Sequence, residues 1–177
     1  MISIYKYTDK EIKAIVNSAV ILVDTREKEN KHITDYFNEK GIKWATQALN
    51  YGDYSIKIES PSAYRDLYLT DIITIERKAN LNELSGNLGR NRERFEAEFE
   101  RAKGKMYLLI ENTNFQDIED GKYTTQYKKV PFRGSLTKFE HDYDLHVMYM
   151  PDISYSGYWI YLTLTGCLKS KLKQGLF

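Results

Sequence analysis

Acidic and basic residues stand in this chain where apolar runs stop. Ile72-Ile73-Thr74-Ile75 reads as a strand, because β-branched side chains are stiff at χ1 and suit a sheet buried on both faces. It ends in Glu76-Arg77-Lys78. Side chains alternate across a strand, so Glu76 and Lys78 point to one face and Arg77 to the other. A second apolar run, 19–23, ends in Asp24-Thr25-Arg26-Glu27, and the turn Asn50-Tyr51-Gly52-Asp53 leads into a third. Two carboxylates about 4 Å apart repel by roughly 4 kcal/mol at an effective dielectric of about 20. Asp24, Asp53 and Glu76, gathered at one end of a sheet, need a cation or take up protons. Hard oxygen ligands with open positions suit Mg2+ or Mn2+. Lys78 beside Glu76, and Arg26 with its planar fork, suit a phosphate next to that metal.

The elements that must position these residues follow from periodicity and caps. Thr8-Asp9-Lys10-Glu11 has the form of a capping box and starts a helix within residues 1–18. Ile33, Tyr36 and Phe37 put a helix over 32–39, stopped by Gly41. Strands are expected at 42–48 and 54–59, with a break at Ser60-Pro61-Ser62 and a short extra strand at 66–69. After Lys78 the spacing of Leu81, Leu84 and Leu88 turns helical, is interrupted by Gly86 and Gly89, and resumes with Phe95 and Phe99. A strand over 106–110 ends in Glu111, which either joins the site or is a loop acid. Residues 113–121 read as a loop, and Leu136 and Phe139 as a short helix. A strand at 145–149 precedes a closing helix within 152–174. The sum is one α/β domain over 1–177, with a central mixed sheet flanked by helices.

Composition narrows the classes. With 42% hydrophobic and 29% charged residues, the chain is an ordinary globular protein rather than a disordered or fibrous one. No apolar stretch approaches the roughly 20 residues that span a membrane. One cysteine, Cys167, excludes an internal disulfide and a cysteine zinc site, and is read as a buried thiol. With no secretory signal at the N-terminus, the expected compartment is intracellular: a prokaryotic cytoplasm, or a nucleus if the source is eukaryotic. The net charge of +1 gives no bulk attraction to nucleic acid, so a basic surface must be local. Residues 122–138 hold Lys128, Lys129 and Arg133 among five cations, with Tyr123, Tyr127 and Phe132 interleaved and no acid. That mixture suits a nucleic-acid strand. Arg90, Arg92 and Arg94, just beyond the central strand, are further phosphate candidates. Arg77 is another, although facing away it can instead bridge to Glu27 or another acid. His32, His141 and His146 have no partner spacing and are taken as structural.

Three blocks in order, Val23-Asp24-Thr25-Arg26-Glu27, Gly52-Asp53-Tyr54 and Ile75-Glu76-Arg77-Lys78, resemble the nuclease domain of XPF-type structure-specific DNA endonucleases. These belong to the restriction-endonuclease-like superfamily, with its Asp…Glu-x-Lys core. The resemblance implies Mg2+-dependent hydrolysis of DNA phosphodiesters, leaving a 5′-phosphate and a 3′-hydroxyl; relatives choose flap or branched DNA with helix-hairpin-helix pairs and helicase motifs that do not follow here, so that choice does not carry over with the motif. The resemblance assigns Asp24, Asp53 and Glu76 to the metal, and makes Lys78 and Arg26 catalytic. It also implies DNA as partner, a homodimer helped by the closing helix, and a place in DNA repair or recombination. The chain departs from the family at Asn82, where relatives carry Asp; Asn there can still cap the following helix. It also has a longer spacing from Asp53 to Glu76. Its small size without accessory domains suggests a phage or mobile-element source. Two alternatives stand beside this reading: a non-catalytic module that binds DNA or a partner, and a nuclease for RNA or single strands.

Overall fold

The computed structural model describes residues 5–59 and 66–175, so the break expected at Ser60-Pro61-Ser62 lies outside the described residues. Thr8 and Glu11 form the reciprocal capping box that starts α1 (Asp9–Ser18), worth on the order of 1 kcal/mol. The next elements are β1 (Val20–Val23), α2 (Lys31–Glu39), β2 (Trp44–Thr46) and β3 (Tyr54–Ile58). After them come β4 (Leu67–Tyr68), β5 (Ile73–Lys78), α3 (Leu81–Leu88), α4 (Arg92–Arg101) and β6 (Lys105–Glu111). The chain continues through α5 (Phe115–Glu119), α6 (Lys129–Asp142) and β7 (His146–Met150), and α7 (Ser156–Lys173) closes it.

The seven strands form one mixed sheet in the order β2-β1-β3-β5-β6-β7, with β4 paired to β3. β1 and β5 both run antiparallel to β3, whereas β5, β6 and β7 run parallel. The ends of β1, β5 and β6 therefore lie on the same side as the start of β3. That topology brings Asp24, Asp53, Glu76 and Glu111 to one rim.

Alternation along β5 divides two cores. Ile73 and Ile75 join Ile33 and Phe37 of α2 and Ile160, Leu164 and Leu168 of α7. On the other face Met106, Leu108 and Ile110 of β6 meet Leu84 of α3, Phe95 and Phe99 of α4, and Phe132 and Phe139 of α6. Each such buried side chain contributes about 1.5–3 kcal/mol.

Some expectations change. The loop expected at 113–121 contains α5, because Asn114 and Asp117 form a second capping box and Ile118 is buried. The basic 122–138 segment is half helix: Phe132, Leu136 and Phe139 anchor α6, and Pro131 falls in its first turn, where a missing N–H costs little. Asn80, not Asn82, caps α3, its Oδ1 accepting the Glu83 N–H at 3.0 Å. Cys167 is only half-buried. Among the described residues no helix is long and apolar enough to cross a membrane.

Candidate active site

Asp53 is fixed by backbone before any side chain acts. Its N–H donates to the Ile75 carbonyl at 2.8 Å, and its own carbonyl accepts the Asp24 N–H at 2.7 Å. Its Oδ2 accepts the Arg77 N–H at 2.8 Å, which draws the carboxylate against the end of β5 beside Glu76. Gly52 makes the approach possible. Its φ is +69°, and a Cβ there would stand 2.9 Å from Thr74 Cβ.

Glu76 and Lys78 share the α4 side of β5, as alternation requires. Lys78 Nζ donates to Glu76 Oε1 at 2.6 Å and lies 5.1 Å from the centre of the Phe95 ring. Glu76 Oε2 is buried with no hydrogen-bond partner. Burial raises the Glu76 pKa, and the neighbouring Asp53 charge adds to the rise while Lys78 opposes it. Asp53 is raised too, first by burial. Burial alone would lower Lys78, but Glu76 and Asp53 outweigh it and keep the ammonium charged. These groups line a cleft of about 260 Å³ with Arg26, Glu83, Asn87, Asn91, Arg94 and Glu98.

Asp24 is not among the residues that line this cleft. It is fully buried, and both oxygens are occupied. Oδ1 accepts from the Arg26 N–H at 2.8 Å and from Arg26 Nε at 2.7 Å; Oδ2 accepts from Arg26 Nη2 at 3.2 Å and from the Leu49 N–H at 2.6 Å. The first contact is an aspartate closing on the amide two residues ahead, a local geometry the strand-end pattern does not reveal. Burial opposes ionisation, but Arg26 and these N–H groups leave the pKa below its ordinary value. Asp24 thus holds Arg26, whose guanidinium reaches the cleft. Among the described residues, no three His, Cys, Asp or Glu side chains form a cluster that would hold a metal by themselves.

Arg77 is not available to DNA. It lies on the α2 side, 5% exposed. Its Nε donates to Glu111 Oε2 at 3.0 Å, Nη1 to Glu27 Oε1 at 3.3 Å and Nη2 to the Glu29 carbonyl at 2.6 Å. His32 Nε2 stands 2.8 Å from Glu111 Oε1. The bridge to Glu27 is present, and Glu111 belongs to this buried network rather than to the cleft.

The other basic candidates divide by what already holds them. Arg92 contacts Glu96 and Ser135 at 2.9 Å each and covers the Phe139 ring. Lys129 reaches the Glu119 carbonyl and Arg133 the Glu119 carboxylate. Arg90, Arg94 and Lys128 are exposed and make no ion pair among the described residues. Glu98 is a cleft residue that sequence reasoning missed; its Oε1 accepts the Gly52 N–H at 3.2 Å. Its only signal is the four-residue spacing from Arg94 on one face of α4, visible once α4 is known to cover β5.

XPF from Aeropyrum pernix in complex with DNA has a similar fold, with TM-score 0.61 and 18% identity over 86% of this chain and 65% of that one. A second structure, XPF from Aeropyrum pernix, gives TM-score 0.59 and 18% identity over 88% of this chain and 67% of that one. This chain therefore spans about two thirds of their length. No curated protein matches it in sequence. Residues 23–163 match the ERCC4 domain, which contains every residue of the cleft, and the chain belongs to that family.

Proposed function

We propose that this chain is a Mg2+-dependent DNA endonuclease, a phosphodiester hydrolase acting on branched or flap DNA. One observation carries the reading. Half-buried Asp53 and fully buried Glu76 line one cleft beside a charged lysine, and one Glu76 oxygen has no donor. A buried carboxylate oxygen without a partner is costly unless a cation or a proton is supplied. Mg2+ is commonly held by one or two carboxylates together with water and substrate phosphate, so two acids suffice. Asp53 and Glu76 would hold the ion, which supplies Lewis-acid activation of the phosphodiester and of water.

The protein's own groups do the rest. Lys78, kept charged, stands where it neutralises Glu76 and can meet charge growing on the phosphate. Asp24 locks the fork of Arg26 so that the guanidinium presents itself to phosphate in one orientation. Arg90, Arg94 and Lys128, exposed and without an ion pair among the described residues, would hold the strand backbone. XPF from Aeropyrum pernix, similar in fold, forms a complex with DNA, which supports DNA as the class of partner. Tyr155, Tyr158 and Leu162, exposed on and beside α7, would suit a homodimer, which size-exclusion chromatography tests.

The central experiment is incubation with Mg2+ and labelled duplex, flap, junction and single-stranded DNA, beside matched RNA. Cleavage of branched DNA that Asp53→Asn and Lys78→Ala each slow by on the order of 10² or more supports the reading. Equal cleavage by both variants refutes it.

A further inference from the structure

Four acids line the cleft: Asp53, Glu76, Glu83 and Glu98. Glu83 is held locally, its Oε2 accepting the Ala79 N–H at 2.8 Å and its Oε1 standing 3.6 Å from Lys78 Nζ. Glu98 is held differently. It comes from α4, and its Oε1 accepts the N–H of Gly52, the residue before Asp53, at 3.2 Å. No other hydrogen bond or ion pair reaches Glu98 among the described residues. The same helix supplies a comparison. Arg92 and Glu96 stand four residues apart and pair at 2.9 Å. Arg94 and Glu98 repeat those residue types in the same order two positions on, line the cleft together, and make no pair. Such a pair contributes only about 0.2–0.5 kcal/mol on a helix surface, so a modest demand elsewhere outweighs it. One oxygen of Glu98 is therefore anchored on the turn that carries Asp53, and the other is open to the cleft.

We propose that Glu98 is a positioning residue that holds water in the hydration shell of the cation bound by Asp53 and Glu76. The proposal rests on the endonuclease reading for the presence of that ion. Among the described residues, Asp53, Glu76 and Glu98 do not form a three-acid cluster that would close on one metal. Glu98 reaches such an ion by way of water. Mg2+ dehydrates reluctantly and keeps several waters, and a cleft of about 260 Å³ has room for them. Glu76 Oε2, buried and without a partner, marks where a cation is needed. Glu98 increases that need: behind burial, its charge adds to the rise of both the Asp53 and the Glu76 pKa. Its bond to the Gly52 N–H serves the same end. The acid that would touch the ion and the acid that would touch the ion's water are set by one turn. Outer acids of this kind orient what a metal holds, and their loss costs roughly 10–100-fold in metal affinity.

The test needs no cleavage. Thermal melts of the whole chain without DNA, over a Mg2+ titration, give the dissociation constant of the ion. Glu98→Gln keeps the side chain's length and an oxygen for the Gly52 N–H, but removes the charge. It should raise the Mg2+ dissociation constant roughly 10–100-fold and leave the melting temperature in EDTA at or above that of wild type. Glu96→Gln removes the same charge from the same helix outside the cleft, and should leave the constant unchanged. Wild-type Mg2+ affinity in Glu98→Gln, an equal loss in Glu96→Gln, or a lower melting temperature of Glu98→Gln in EDTA overturns the assignment. Asp53→Asn separates this inference from the reading beneath it. If Asp53→Asn loses the Mg2+ response and Glu98→Gln keeps it, the ion stands and Glu98 only fastens Gly52. If wild type shows no Mg2+ response, the ion is refuted and the role of Glu98 falls with it.

Discussion

Asp53→Asn should make the metal-free protein more stable and inactive at the same time. The Asn oxygen can still accept the Arg77 N–H, and the backbone bonds to Asp24 and Ile75 are untouched. What disappears is one of two neighbouring charges, that of half-buried Asp53 beside buried Glu76. A bare pair at about 4 Å repels by roughly 4 kcal/mol, and Lys78, 2.6 Å from Glu76, offsets part of that, leaving about 1–3 kcal/mol of relief. A domain of this size gains roughly 2–4 °C per kcal/mol, so the melting temperature should rise by about 2–12 °C. Thermal melts followed by circular dichroism in EDTA read this directly at alkaline pH, above the values of about 7 and about 8 to which Asp53 and Glu76 are raised. The same melts in Mg2+ supply the second half. Wild type should gain about 2.7 kcal/mol when the ion is at about 100 times its dissociation constant, and the variant little. A lower melting temperature in EDTA, or an undiminished Mg2+ shift, would show that Asp53 is a structural acid and that the inference from repulsion is wrong.

Other consequences are measurable alongside it. Arg77→Met leaves Glu111 and Glu27 buried without their cation and should cost about 3–5 kcal/mol in urea unfolding; an unchanged stability with weaker DNA binding would reverse its assignment. Asp24→Ala frees the Leu49 N–H and the fork of Arg26, so it should cost about 1–3 kcal/mol and slow cleavage without abolishing the Mg2+ shift. A lost Mg2+ shift would return Asp24 to the metal. For pH, both Asp53 and Glu76 are raised above ordinary values of 3.8 and 4.5. Below those values both states are protonated and the pair contributes nothing. Above them the unfolded chain releases protons first, so stability of the metal-free protein should fall as pH rises until the folded pair has ionised. The Mg2+ shift should grow over the same range, and a flat profile in EDTA would contradict the raised pKa values.

Much of this site was legible because strand chemistry is short-ranged. Period two along β5 separates Glu76 and Lys78 from Arg77 without any knowledge of the neighbours. The apolar run before each charge marks the rim of the sheet. What local pattern does not contain is which helix covers which face. Only the fold sets α4 across Glu76 and Lys78, bringing Phe95 and Glu98, and α2 across Arg77, bringing His32 near Glu111. Asp24 departs from expectation for a different reason. A carboxylate two residues before an arginine can turn inward on the backbone as readily as outward to a metal, and periodicity is blind to that choice. Three adjacent charges therefore serve two opposed surfaces. Arg77 closes a buried network that fixes the end of the strand, and its backbone N–H, pointing across to Asp53, passes that fixity to the carboxylate on which the proposed chemistry depends.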